Sequence, residues 1–86
     1  MLKKILEQLP DAELIVIDGH DNAVVGLAET ANGLHLLYKV SVIFENLIKD
    51  HGFESYQDCQ EWYQFNMLDL SRLEHGPVFL EDTIVE

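Results

Sequence analysis

The chain is 86 residues long, 48% apolar, and sets sixteen carboxylates against five lysines and arginines, a formal charge of −11. That length holds one small domain and no second core, the apolar fraction is too high for a disordered tail, and the charge opposes direct contact with nucleic acid or anionic lipid. No apolar run approaches the roughly 20 residues that span a bilayer, the opening MLKKILEQLP lacks the apolar stretch of a signal peptide, and the single Cys59 excludes an internal disulfide, so the chain reads as cytoplasmic.

Leu2, Ile5, Leu6 and Leu9 recur at helical spacing ahead of Pro10, which predicts a short amphipathic helix over 2–9. Leu14 to Ile17 form a β-rich run, apolar on both faces, that suits a central strand. A second strand is expected over 23–30, with Gly26 marking a bulge or a closely packed neighbour. "ANG" at 31–33 signals a hairpin turn into a third strand over 34–39, completing an antiparallel meander.

The period then changes. Val40, Ile43, Phe44, Leu47 and Ile48 predict a helix over 40–50 that stops at Gly52. Ser55 and Asp58 have the spacing of a capping box at the start of another helix. On that helix Cys59, Trp62, Tyr63, Asn66 and Leu70 make one stripe, and Gln57, Asp58, Glu61 and Gln64 the opposite, wet one. Trp62 is expected to anchor the core. "HGP" at 75–77 breaks the chain, "VFL" at 78–80 is a short strand, and the tail "EDTIVE" should fray. The expected fold is α+β: a small antiparallel sheet of three or four strands, two main helices packed on one face, and a short N-terminal helix.

"IDGHDNAVVGLAE", then "YQDCQEWYQFN" after Gly52 and Ser55, then "GPVFLED" together resemble a family of small uncharacterised acidic proteins encoded by bacteriophages. Its members read as an Asp-rich turn between two strands, "YS" entering a helix, "EEA-EFFEYN" in the next, and a final "P-I-F" strand. The resemblance touches most of the chain from Asp18 to Asp82, through short motifs. The sequence departs at Cys59, where the pattern has Ala, and by an extra residue near Glu54. The resemblance implies a phage origin and an α+β fold, and no known chemistry.

The most chemical stretch is the polar knot Asp18-Gly19-His20-Asp21-Asn22 between two apolar runs. Asp18, His20 and Asp21 are ordinary ligand types for a divalent metal, although such a site needs a further ligand, such as His35 or His75. The same residues are turn formers, because Gly takes positive φ and Asp or Asn side chains bond nearby backbone N–H groups. His20, His35, His51 and His75 show no ligand spacing and read as scattered surface residues. Cys59 on the apolar stripe reads as a small inert hydrophobe. Asn66 stands where that stripe predicts an apolar side chain, so it is either a buried amide tied to a loop or a ligand-facing amide near Trp62. There is no phosphate-binding glycine loop and no G-x-S-x-G elbow.

Two function classes follow. One is a binding protein without catalysis or cofactor, which would present Asp50, Glu54, Asp58 and Glu61 to a basic surface of a host protein or nucleoprotein complex in the bacterial cell, as nucleic-acid-mimicking anti-CRISPR inhibitors do. The other is a small metal-dependent enzyme or metal-binding protein built on Asp18, His20 and Asp21. A pocket holding His20 and a second histidine favours the latter; a continuous acidic face without a pocket favours the former. The oligomeric state stays open.

Overall fold

A computed structural model describes residues 1–84. Its order is α1 (Leu2–Gln8), β1 (Val24–Thr30), β2 (Gly33–Lys39), α2 (Val40–His51), α3 (Tyr56–Asn66) and β3 (Val78–Leu80), with 3₁₀ turns at Asp21–Ala23 and Leu68–Arg72. The α+β class, the short N-terminal helix and both main helices stand as the sequence predicts.

The sheet is mixed rather than wholly antiparallel. Its order is β1-β2-β3: β1 and β2 form the expected antiparallel hairpin, and β3 pairs parallel to β2, Leu37 with Val78 and Lys39 with Leu80. The run Leu14–Ile17 is extended but joins no strand. The N–H groups of the run find acceptors outside the sheet ladder: Ile15 N–H donates to the His75 carbonyl at 3.3 Å and Ile17 N–H to the buried Tyr38 hydroxyl at 2.8 Å. The apolarity of that run serves burial of Ile17 in the core.

In β1 the register shifts between Val24 and Gly26, so Val25 is the extra residue of a β-bulge. The bulge leaves Val24 buried and Val25 exposed. Gly52 ends α2 at φ 73°, the left-handed cap that lets its N–H reach the Leu47 carbonyl. Ser55 caps α3 by accepting from Asp58 N–H at 3.2 Å. α3 stops at Asn66, and Met67 and the following 3₁₀ turn continue its buried stripe as far as Leu70.

The core lies between sheet and helices: Leu36 and Tyr38 from β2, Val40, Ile43, Phe44 and Leu47 from α2, Cys59 and Tyr63 from α3. Phe44 and Tyr63 meet edge to face at 5.8 Å, and Tyr63 meets Phe79 of β3 at 5.2 Å. Burial, with Glu81 nearby, pushes the Tyr63 phenol up to about 12. Trp62 is not the anchor: its ring is half-buried at the margin, edge to face with Phe53 at 6.0 Å. The aromatic centre is Tyr38, Phe44 and Tyr63.

The chain beyond β3 is tied down at Asp82, while Val85 and Glu86 lie outside the described residues. Asp82 accepts from both the Ser41 N–H at 2.8 Å and the Ser41 hydroxyl at 2.6 Å, with Lys39 at 3.7 Å. It thereby caps the first turn of α2 from 41 residues away. Desolvation alone would raise its pKa; the Ser41 bonds and Lys39 outweigh that and hold the carboxyl below its ordinary value.

Candidate functional site

The polar knot is a turn. His20 N–H reaches the Ile17 carbonyl at 3.3 Å, with Gly19 third in the turn at φ 85°. Ala23 N–H then bonds the His20 carbonyl at 2.9 Å, starting the 3₁₀ turn. Among the described residues no three His, Cys, Asp or Glu side chains gather to hold a metal ion, so Asp18, His20 and Asp21 are not a ligand set. Asp18 and Asp21 are exposed.

The histidines correct the sequence reading. His20 is only 3% exposed and His35 only 6%. His35 must carry its proton on Nδ1, because it meets the Gly76 carbonyl at 2.8 Å and a carbonyl can only accept. Its Nε2 then accepts from the Thr30 hydroxyl at 2.9 Å. That ring ties the hairpin to the turn before β3.

His20 belongs to a trio. Its Nδ1 lies 3.0 Å from Asn46 Nδ2, and Asn46 and Asn22 exchange amide hydrogen bonds at 2.7 and 3.1 Å. Two arrangements satisfy these contacts. With Asn46 donating to Nδ1, the imidazole proton sits on Nε2. Turning both amides over together keeps every pairing with donors and acceptors exchanged, puts the proton on Nδ1 and bares the Nε2 lone pair. Burial lowers the His20 pKa and His51 adds to that, against Asp50 and Asp21, so the ring is neutral at pH 7. No protein group among the described residues bonds Nε2, and that atom is not sealed from solvent.

His20 opens onto a pocket of about 400 Å³ between the Ile17–His20 turn, the end of α2 and α3. Asp18, His51 and Asn66 complete its polar lining. Leu47, Phe53, Trp62 and Met67 are among its apolar walls. A concave, mainly apolar space with a few converging polar groups is what small-ligand recognition needs. Asn66 is exposed at the mouth rather than buried against a loop; its Nδ2 donates to the Trp62 carbonyl at 2.9 Å, which leaves Oδ1 free.

Asp50, Glu54, Asp58 and Glu61 are all exposed, spread from the last turn of α2 through the connection to the outer side of α3. None is in an ion pair among the described residues. Cys59 is fully buried, donates to the Phe44 carbonyl at 3.7 Å, and its thiol is pushed up by burial and by Asp58, the reverse of what a nucleophile requires. Sequence reasoning missed Asn46. The sequence signal for it is weak: Asn46 falls outside the Val40–Ile43–Phe44–Leu47–Ile48 stripe of α2, and its burial comes from the turn that packs on that side.

No helix among the described residues is long and apolar enough to cross a membrane. No protein-family model, curated protein or solved structure matches this chain.

Proposed function

We propose that the protein acts by binding, without catalysis, as a phage-type accessory protein of the bacterial cytoplasm. It docks the acidic corner formed by α2 and α3 onto a basic surface of a host protein or nucleoprotein complex, in the manner of a nucleic-acid-mimicking anti-CRISPR inhibitor. The carrying observation is that Asp50, Glu54, Asp58 and Glu61 are exposed and, among the described residues, form no ion pair along the α2–α3 corner of a chain of charge −11. Unneutralised charge of one sign steers association with a basic groove. The phage character rests on the sequence resemblance, and the mimicry is an analogy from charge and size.

The test is capture of a partner from bacterial lysate, then its association rate against salt. The rate should fall as the Debye length shrinks from about 30 to about 8 Å. Asp58→Lys with Glu61→Lys should slow association and leave the fold intact, since both side chains point away from Cys59 and Tyr63. A flat salt response with unchanged binding by the double variant would refute the reading.

One observation favours a second reading, small-ligand chemistry: the pocket joins His20 to a second histidine, His51. Turnover or stoichiometric zinc or manganese, lost with His20→Ala, would establish it over the first.

A further inference from the structure

We infer that the His20 pocket is a guanidinium site, which takes an arginine side chain of the basic partner; this rests on the docking reading above. Acceptors predominate among the free polar atoms of the lining, alongside the His51 ring. Asn66 turns one N–H of Nδ2 to the Trp62 carbonyl and offers Oδ1 as an acceptor. Asp18 offers an exposed carboxylate. His20 offers Nε2 from a ring that is otherwise buried and held at Nδ1 by Asn46. A donor-rich ligand selects the arrangement of the Asn22–Asn46 pair in which that nitrogen is bare.

The electrostatics point the same way. No lysine or arginine lines the pocket; His51, the one basic ring of the lining besides His20, acts on His20 against Asp50 and Asp21, and the Asp18 carboxylate joins those two on the acidic side. An anion would enter against these charges, whereas a cation is drawn in. Trp62 and Phe53, perpendicular to one another, supply aromatic surface for a cation. The volume of about 400 Å³ admits an arginine side chain. Guanidinium suits it better than ammonium, because it is planar, weakly hydrated, stacks on aromatic rings and carries five donors for acceptors spread around its rim. The acidic corner would thus supply attraction at long range and the pocket the buried anchor that fixes register.

The probe is N-acetyl-L-argininamide, titrated into the purified protein. The readouts are the emission of Trp62, the chain's one tryptophan, and the ring nitrogen shifts of His20. Saturable change in both is expected, with the neutral citrulline analogue weaker by at least about tenfold. Asp18→Asn should weaken arginine binding and leave the unfolding midpoint unchanged, because that carboxylate is exposed. Equal binding of the citrulline analogue, or no response of Trp62 and His20, overturns the proposal. Saturation by adenosine but not by the arginine probe overturns it in favour of a neutral heterocycle. Salt-sensitive partner association without arginine binding removes the pocket and leaves the docking corner. Arginine binding with salt-indifferent association keeps the guanidinium site and removes the corner as its approach.

Discussion

Asn46→Ala tests the trio that holds the polar turn against α2. The substitution deletes the contact to His20 Nδ1 at 3.0 Å and both amide bonds to Asn22. Asn22 is exposed and regains water, so its two bonds together are worth about 1 kcal/mol net. His20 Nδ1, on a ring only 3% exposed, loses its one protein partner, at a cost of about 1–3 kcal/mol. The better helix propensity of Ala returns about 0.5 kcal/mol. The sum is about 1.5–3.5 kcal/mol, a large part of the roughly 5–15 kcal/mol of a small domain. Urea unfolding measures it: with a slope of about 1 kcal/mol per molar for a chain this short, the midpoint should fall by about 1.5–3.5 M. His20→Ala alone should cost a similar amount, and the double variant should show a coupling of at least about 0.5 kcal/mol. A midpoint loss equivalent to less than about 0.5 kcal/mol, or strict additivity, would show that the trio does not hold the turn.

Stability should decline as pH drops below about 6.5, the unfolded histidine value. Because the native His20 pKa is lowered, the unfolded chain binds more protons between the two values; His20→Gln should flatten that part of the urea-midpoint profile. Asp82→Ala should cost about 1 kcal/mol in thermal unfolding by uncapping α2 at Ser41. The contribution of Asp82 is present above its unfolded pKa near 3.8 and fades as pH falls below it, so the variant should match wild type only in strong acid. Gly76→Ala should cost about 3 kcal/mol or more and reduce soluble yield, since a Cβ there would collide with the Leu70 carbonyl oxygen, which belongs to the backbone and cannot move aside. Phe44→Ala should cost about 3–5 kcal/mol and Trp62→Ala markedly less, a ranking that chemical denaturation of the two variants checks directly.

Local signals were legible where local physics decides. The periodicity of Val40 to Ile48, the left-handed stop at Gly52, the Ser55 cap and the bulge at Gly26 each depend on neighbours within a few residues. What failed depends on partners far along the chain. Leu14 to Ile17 has the composition of a strand, but its backbone N–H groups are taken by the His75 carbonyl and the Tyr38 hydroxyl, partners 60 and 21 positions away, while residues 78–80 take the second edge of β2. His20 and His35 look like surface residues because the groups that satisfy them, Asn46 and Gly76, lie 26 and 41 positions away. Trp62 has the right phase for the core, yet Tyr63 beside it points more directly at Phe44 and Phe79. The pocket itself was half visible: Asn66 and Trp62 were suspected together, and His20 from elsewhere in the chain supplied the missing wall.

The parallel pairing of β3 with β2 also orders the chain's assembly in time. The β1–β2 hairpin and α2 are contiguous and can form as synthesis proceeds, but the second edge of β2 stays open until residues 78–80 emerge from the ribosome. That edge offers unpaired amides and carbonyls to any extended segment nearby, including the same three residues of another copy. A chain cut short before Val78 would lose both the Phe79 contact to Tyr63 and the Asp82 cap of α2, and would leave that edge of β2 unpaired. The brief strand, fastened by Asp82 to the start of α2, covers that edge and leaves only its own three residues as the sheet's rim on that side.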